Sequence, residues 1–466
     1  MSKKNKNTKT TNADKTTAAA IGTAETKKIV EYIKHEEVIK QEVIVHDIWQ
    51  PLNPNKQLPD LNKLLLSSDG ILKDKISNLI INAKETIFIC SFLINDNDIV
   101  NHLIEKASNG VNIYILTASE AVINKSNNED YTRHDEHVAL LKKLSSEYRI
   151  LVRTGNIHAK FIIIDAHRAS IKGLLSTSNF NKEPLSRDGE VGIMLDTIRA
   201  TNLANLFIKT FWEKSENELA RDGKSLNNVT SKETAIELDD SNTLFTFDDE
   251  YNSIKENVIK YIINAQKRIY ITSFNYDYKD IEAVLLDKAR HGLDIQIIGR
   301  QRKILNSNLY KILKDYENVM FYVHEAIHAK LLICDNSALL LTANFEEKGI
   351  DTGVEAGVEI SSLEAKKVFN FYKNLATFCH FAAKKYKAES DDILWKSGAD
   401  KVDGSRINIT NKIVNAGKTK TDIKPDFSKI RNDNPYSPEI KLTWEEEIVK
   451  ESIVNKETEK EDENRK

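Results

Sequence analysis

Two stretches of this chain decide its fold: ISNLIINAKETIFICSF at residues 76–92 and VIKYIINAQKRIYITSF at residues 258–274. They align without a gap and are identical at eight of 17 positions. In each stretch, apolar residues at helical spacing lead into a strand with alternating apolar positions. The offset of 182 residues is too long for a solenoid repeat, so the sequence predicts two fused copies of one domain.

The repeated pattern continues downstream of both stretches. A second helical segment ends near Gly110 in the first copy and near Gly292 in the second, as glycine commonly follows the last residue of a helix. The next strands read VNIYILT and LDIQIIG. Because helices alternate with strands, each copy is predicted to be a layered α/β domain.

Each copy then carries the same polar residues at matching places. Ile-His-Ala-Lys is followed by an apolar run and an Asp, then by Thr-x-Asn-Phe, and a Glu stands eleven residues after the Asn. If the His and Lys lie on a strand, its period of two puts them on one face, where they would form a compact anion site. The residues are His158, Lys160, Asp165, Thr177, Asn179 and Glu190, matched by His328, Lys330, Asp335, Thr342, Asn344 and Glu355.

This pattern resembles the phospholipase D superfamily, whose signature is HxKx4D followed by a Gly-containing segment with an Asn, usually twice. The chain departs from it at Ser176 and Leu341, where family members usually carry Gly. The resemblance implies an α/β fold of two fused phospholipase D-like domains, each a mixed β-sheet flanked by helices. It places the active site at a pseudo-twofold interface between them.

The resemblance also implies roles for the repeated residues. His158 would be the nucleophile and His328 the acid, although the near symmetry leaves this assignment open. Lysines and asparagines (Lys160, Lys330, Asn179, Asn344) would hold the phosphoryl group. Glu190 and Glu355 would fix the imidazole tautomers, with Thr177 and Thr342 in support, and Asp165 and Asp335 would be structural. Two histidines near pKa ~6.5 predict a bell-shaped pH profile.

Three further cations follow the strand LDIQIIG directly. Arg300, Arg302 and Lys303 stand at a strand end, where α/β proteins usually place their sites. They are predicted to bind substrate in a groove for a polyanion, with ordinary surface charge as the alternative. No metal and no cofactor is expected, because two ammonium groups supply the charge that Mg²⁺ would provide. The activity should therefore resist chelators.

Length and composition set the outer limits. The chain has 466 residues, a formal net charge of -3, no apolar run long enough to cross a bilayer, and three cysteines without a CxxC pair. These features exclude a disulfide-rich secreted scaffold and an integral membrane protein, and they favour a cytoplasmic location. The expected organisation is a disordered basic tail and lead-in at 1–60, domains at 61–215 and 249–385, a linker at 216–248 and a partly disordered extension at 386–466.

The substrate is the least constrained feature. The motif cores HAKFIIID and HAKLLICD look like bacterial nuclease and defence-associated members, so the main prediction is a metal-independent nuclease for DNA or RNA that forms a phosphohistidine intermediate. A phospholipase D or phosphatidyltransferase acting on phospholipids is the alternative, and a noncatalytic binding scaffold is the second alternative. Nucleic acid is the expected partner, with phospholipid and a regulatory protein left open. The resemblance also suggests a role in antiviral defence, against foreign DNA. Two motifs in one chain would let a monomer be active.

Overall fold

A computed structural model describes residues 25–48, 56–119, 131–223, 225–248, 250–316, 318–376, 378–387, 393–397 and 439–454. The helices of eight or more residues in this part of the chain are α1 (Ile71–Asn82), α2 (Asn97–Ser108), α3 (Tyr131–Ser145), α4 (Thr197–Glu213), α5 (Ser253–Asn264), α6 (Lys279–Arg290) and α10 (Ser362–Asn374). The shorter ones are α7 (Gln301–Asn306), α8 (Asn308–Leu313) and α9 (Glu347–Asp351), with a 3-10 turn at Ser68–Gly70.

The first copy is built on a nine-stranded sheet in the order β10-β9-β5-β4-β3-β6-β7-β8-β2. Strands β3, β4 and β5 run parallel to one another, and the other pairings are antiparallel, so the sheet is mixed. Its strands are β2 (Leu64–Leu66), β3 (Thr86–Cys90), β4 (Asn112–Ala118), β5 (Ile150–Gly155), β6 (Phe161–Ile164), β7 (Lys172–Ser176), β8 (Val191–Leu195), β9 (Ser215–Leu219) and β10 (Leu226–Asn228).

The second copy repeats this arrangement in the order β12-β11-β18-β17-β16-β13-β14-β15-β19, with β20 paired to β19. Here β13, β14 and β15 form the parallel part. Its strands are β11 (Leu244–Phe247), β12 (Tyr251–Asn252), β13 (Arg268–Thr272), β14 (Asp294–Gly299), β15 (Val319–Val323), β16 (Leu331–Cys334), β17 (Ser337–Leu341), β18 (Val354–Ser361), β19 (Phe378–Lys387) and β20 (Ile393–Ser397). The predicted fold of two α/β domains is confirmed.

The repeated sequence forms the same local structure in both copies. It folds as α1 followed by β3 and as α5 followed by β13. Gly110 and Gly292 each lie one residue beyond the C-cap of the second helix, with φ of 94° and 79°. Glycine adopts this left-handed backbone without the steric cost that a Cβ brings.

The Asp of each motif holds the start of the first strand. Asp335 accepts backbone N–H bonds from Gln266, Lys267 and Arg268 at 2.7, 3.0 and 2.9 Å. Asp165 does the same for residues 84–86 at 2.8–3.2 Å. Both have positive φ, 52° and 54°, a conformation that Asp tolerates better than most residues. Each Asp follows its strand, whereas the His-Lys pair precedes it, so the two parts of the motif lie at opposite ends of that strand.

A core shared between the two copies packs their sheets together. It contains Phe88, Ile163 and Phe207 from the first copy and Ile333 and Phe369 from the second, all at most 9% exposed. Helices α4 and α10 contribute to this shared core, while the outer face of each sheet has its own cluster beneath α1 and α2 or α5 and α6. The apolar area removed from water makes this shared core the main attraction between the copies.

Reciprocal backbone hydrogen bonds join the copies at the His-Lys segments. His158 and Ala159 both donate their N–H to the carbonyl of Val354, at 3.1 and 2.8 Å. His328 and Ala329 donate to Gly189 at 2.9 and 2.7 Å. These segments lie outside the strands, so the prediction that His and Lys are strand residues is wrong; their backbone N–H groups serve the opposite copy instead of a neighbouring strand.

Several segments expected to lack structure contain strands. The stretch 216–248 holds most of β9, all of β10 and β11, and β11 pairs with β18 in the second sheet. In the expected tails, β1 (Glu25–Ile48) pairs antiparallel with β21 (Glu439–Val454), from Glu25 opposite Val454 to Lys40 opposite Glu439. Their many charges hid a content of β-branched residues that favours strands. Residues 1–24, 49–55, 388–392, 398–438 and 455–466 of these tails lie outside the described residues.

Loss of the Asp335 carboxylate should destabilise the protein. Asp335→Ala leaves three strand-start N–H groups without their acceptor and puts Ala at positive φ, so we expect the free energy of unfolding to fall by about 2–3 kcal/mol. Denaturant titration followed by circular dichroism measures this. The control is Asp315→Ala, at an exposed position without a hydrogen bond among the described residues. Equal stability of the two variants would contradict the role of Asp335.

Gly189 should tolerate no side chain. It has φ of 156°, and a Cβ built on it would lie 2.1 Å from the carbonyl oxygen of Ala326. We expect Gly189→Ala to lower the free energy of unfolding by at least about 2 kcal/mol more than Gly110→Ala. The Gly110 variant is matched because it also strains a positive φ, but its Cβ meets nothing within 4 Å. Similar losses in both variants would show that the close approach of the copies at Gly189 is unimportant.

Candidate active site

Each imidazole of the two motifs is paired with a carboxylate from the opposite copy. Nδ1 of His328 lies 2.8 Å from Oε1 of Glu190, and Nδ1 of His158 contacts Oε1 of Glu355 in the same way. This exchange follows from the backbone interface, because Gly189 and Val354, which accept the N–H groups of the His segments, each directly precede one of these Glu residues. With Nδ1 held by a carboxylate, Nε2 is the nitrogen left for chemistry.

The motif threonines donate hydrogen bonds to the two carboxylates and hold them in place. Glu190 and Glu355 are both 0% exposed. The Thr177 hydroxyl donates to Glu190 at 2.6 Å, and the Thr342 hydroxyl donates to Glu355. Although burial alone would raise the pKa of Glu190, His328 and Lys330 lower it to about 2. The carboxylates therefore stay ionised and orient the imidazoles.

The two motif lysines are fully buried without an ion pair to any described carboxylate. Lys330 donates to the carbonyl of its own His328 at 2.7 Å, and its Nζ lies 2.8 Å from Nδ1 and 3.0 Å from Nε2 of that ring. Lys160 donates to the carbonyl of His158. Burial lowers the pKa of Lys160 to about 8 and that of Lys330 well below its usual value. Glu190 and Glu355 oppose the lowering of both pKa values but do not cancel it, and a bound anion would further stabilise the charged form of each lysine.

Burial also lowers the pKa of both imidazoles. The pKa of His328 falls to about 3, because burial and Lys330 outweigh the opposing effect of Glu190. The pKa of His158 shifts in the same direction for the same reason, with Glu355 opposing. The expectation of two histidines near pKa 6.5 is therefore wrong for the unliganded protein. An anionic ligand between the rings would favour the protonated form of either imidazole and raise its pKa again.

The Ser-Phe pair of the repeat lies against the site, a role not foreseen from the sequence. The rings of Phe92 and His158 meet edge to face with centroids 5.2 Å apart, and those of Phe274 and His328 do so at 5.5 Å. Ser91 accepts the backbone N–H of Phe180, the residue after the motif Asn, at 3.1 Å. The available signal was the identity of this pair in both copies.

The motif asparagines differ between the copies. The side-chain oxygens of Asn179 and Asn344 are both buried without a hydrogen bond among the described residues. The Asn344 amide donates to Glu346 at 2.8 Å, and Glu346 also accepts from Asn275 at 2.5 Å. The position matching Glu346 in the first copy is Asn181, so this carboxylate has no counterpart there.

The cations after β14 are placed unequally. Arg300 lies with its guanidinium carbon 4.6 Å from the centroid of Phe274, and Nζ of Lys303 lies 4.8 Å from it. Arg302 is exposed. Arg300 and Lys303 thus lie near His328, since Phe274 contacts that ring. Arg187 is also near, because burial is the largest cause of the lowered pKa of Arg300 and the charge of Arg187 is the second. Sequence reasoning missed Arg187, which has no matching cation in the second copy.

Comparisons with known proteins find similar sequences and a similar fold. A sequence profile of the family described as "Cardiolipin synthase, PLD-like domain" matches residues 76–214 and 258–374. A cardiolipin synthase from Staphylococcus aureus is 24% identical over 364 residues, covering 72% of both chains. The phosphatidylserine synthase of Haemophilus influenzae has the same fold, with a TM-score of 0.50 and 13% identity over 68% of this chain and 87% of that one.

The prediction of a nuclease, with nucleic acid as partner and a role in antiviral defence, is wrong in the light of these relatives, which carry the names of phospholipid synthases. The physical reason is that phospholipids and nucleic acids share the phosphodiester group that the resemblance assigns to this motif. Short motif cores therefore could not separate the two substrates. The two matched segments span more than half of the chain. The chain belongs to the family described as cardiolipin synthase, PLD-like domain, of the phospholipase D superfamily.

Proposed function

We propose that this protein transfers or hydrolyses the phosphodiester of a phospholipid through a phosphohistidine intermediate. The observation that carries the proposal is a pair of imidazoles, each held at Nδ1 by a carboxylate of the opposite copy. Beside them lie two buried lysine amino groups that form no ion pair with a described residue. The names of the relatives support phospholipid as the substrate class. Among the described residues, no helix is long and apolar enough to cross a membrane.

The chemistry divides between the two imidazoles in two steps. In the first, Nε2 of His158 attacks phosphorus, a P–N bond forms, and the bond to the leaving oxygen breaks as that oxygen takes a proton from His328. In the second, His328 takes a proton from an acceptor hydroxyl, whose oxygen displaces His158 from phosphorus. Water as acceptor gives hydrolysis, and an alcohol gives transfer.

The other motif residues bind the transferred group. Lys160 and Lys330 supply positive charge to the non-bridging oxygens, and their burial strengthens that interaction because the surroundings are poorly polarisable. Asn179 and Asn344 complete the cradle with their side-chain amides. Asp165 and Asp335 act at a distance, by fixing the strands from which the His-Lys segments project.

Loss of either motif histidine should abolish turnover. We expect His158→Ala and His328→Ala each to lower the rate at least about 10³-fold, whereas wild type keeps its rate in EDTA. The assay uses phosphatidylglycerol vesicles, because this lipid offers both a phosphodiester and an acceptor hydroxyl, with products identified by mass spectrometry. His291→Ala is the control, since His291 is exposed and far from the site in sequence.

Three results would count against the proposal. Full activity in His158→Ala would remove the phosphohistidine step. Loss of wild-type activity in EDTA would require a metal. Vesicle binding without turnover, unchanged in His158→Ala, would favour the noncatalytic scaffold.

Because each imidazole contacts a carboxylate of the opposite copy, substitution of these carboxylates tests which imidazole is the nucleophile and which is the acid. Glu355 favours the charged form of His158, so Glu355→Gln should lower the pKa of His158 and move the acid limb of the kcat/KM profile to lower pH. Glu190→Gln should lower the pKa of His328, so the acid form is lost sooner and the basic limb moves to lower pH. We expect shifts on the order of one pH unit.

Glu359→Gln serves as the control, because Glu359 lies on the same strand as Glu355 but is exposed. An exchange of the two limbs between the variants would reverse the assignment of nucleophile and acid. Movement of the same limb in both would contradict any division of roles between the imidazoles.

A further inference from the structure

Three cations with unused donors surround the His328 side of the site: Arg187, Arg300 and Lys303. Nε of Arg300 donates to the carbonyl of Ile327, directly before His328, at 3.2 Å. The terminal amino groups of Arg300 and Nζ of Lys303 form no hydrogen bond or ion pair with a described residue. Nε of Arg187 is buried and has no hydrogen-bond partner in the described part of the chain.

The carboxylates of this region have partners other than Arg300 and Lys303, and one of them pairs with Arg187. Glu183 binds Nη1 of Arg187 at 3.1 Å, Asp188 lies 3.6 Å from Lys56, and Glu325 accepts the backbone N–H of Gln301 at 3.2 Å. None of them forms an ion pair with Arg300 or Lys303 within the described residues. The two cations instead lie over the ring of Phe274, which attracts positive charge without neutralising it.

A buried histidine adds a further unsatisfied polar atom. His324 is 6% exposed, and its Nε2 has no hydrogen-bond partner among the described residues. Burial, with smaller contributions from Arg300 and Arg187, lowers the pKa of His324 to about 4, so the ring is neutral and able to donate from one nitrogen. Buried donor atoms without a hydrogen-bond partner, such as Nε of Arg187 and Nε2 of His324, are costly unless a ligand accepts from them.

None of the three cations has a cation at the matching position of the other copy. At the repeat offset of 182, Arg300 matches Ala118 and Lys303 matches Ala121. Counted back from the paired Glu residues, Arg187 matches Thr352. The positive charge therefore adds to the symmetric His-Lys site, which already has two ammonium groups for the reacting phosphate.

We propose that Arg187, Arg300 and Lys303 form a subsite for a second phosphate group, next to the reacting phosphodiester and on the His328 side only. Guanidinium groups suit this ligand because their fork of donors matches phosphate oxygens. The inference rests on the proposed function in one respect, that a phosphodiester reacts between the two imidazoles. The second phosphate belongs either to the alcohol that accepts the transferred group or to the headgroup of the lipid that donates it.

Direct binding tests the subsite without turnover. Isothermal titration with glycerol 3-phosphate, and with glycerol as the uncharged comparison, is carried out on wild type and on Arg300→Gln/Lys303→Gln. We expect the Kd for glycerol 3-phosphate to rise at least about tenfold in the double variant, and Arg187→Gln to weaken binding as well. The matched control is Arg290→Gln/Lys311→Gln, which removes the same charges at exposed positions.

Unchanged affinity in both variants would overturn the subsite. Melting curves confirm that the variants fold, and if the double variant does not, Arg187→Gln alone decides. Loss of affinity in a protein that turns over no phospholipid would support the subsite and contradict the proposed function, so the two failures are distinguishable.

Turnover assigns the source of the second phosphate. One arm compares glycerol 3-phosphate with glycerol as acceptor from a fixed lipid donor. The other compares donors whose headgroups do or do not end in a phosphate. If wild type prefers the phosphate-bearing compound in one arm, that arm identifies the source of the second phosphate. We expect this preference to fall at least about tenfold in Arg300→Gln/Lys303→Gln, which would support the subsite. The absence of any such preference in both arms would overturn it.

Discussion

The exchange of His and Glu partners between the two copies is the constraint on which the rest of the structure depends. Two carbonyl groups, those of Gly189 and Val354, each receive two N–H bonds from the opposite His-Lys segment. Because the next residue in each case is the Glu that contacts that His, the backbone contact and the side-chain contact cannot be formed separately. Neither copy holds an oriented imidazole by itself. The shared apolar core, the close approach at Gly189 and the Asp-anchored strands all serve to keep these two contacts in register.

Most of the fold and the residues of the site could be predicted from the sequence, because both depend on local sequence patterns that occur twice. The repeat predicted α1 and β3 with their counterparts, and the spacing of His158, Lys160 and Glu190 singled out side chains that the structure brings to one interface. The partnership of each Glu with the opposite His could not be predicted. It depends on contacts between residues 197 positions apart for His158 and Glu355 and 138 positions apart for His328 and Glu190, and both possible pairings satisfy the same sequence pattern.

The predictions that were wrong or incomplete also have physical reasons. The His-Lys segments were expected to be strands because their residues alternate, but their N–H groups serve the other copy. Strands β1 and β21 were missed because each finds its partner more than 390 residues away along the chain, as Lys40 does in Glu439. The substrate was wrongly predicted because phospholipids and nucleic acids share the phosphodiester group that the resemblance assigns to the motif. Arg187 and Glu346, which lie near the motif residues, do not follow from the repeat, because the matching positions are Thr352 and Asn181.

The unequal residues around the two imidazoles have a consequence for the evolution of such a protein. A symmetric dimer of single-motif chains carries every substitution twice, once on each side of its axis, so a ligand meets the same surface in either orientation. Fusion into one chain removes that restriction, and Arg300 in one copy can stand opposite Ala118 in the other. The covalent link therefore allows the two sides of the site to differ, and two histidines at matching positions become free to specialise.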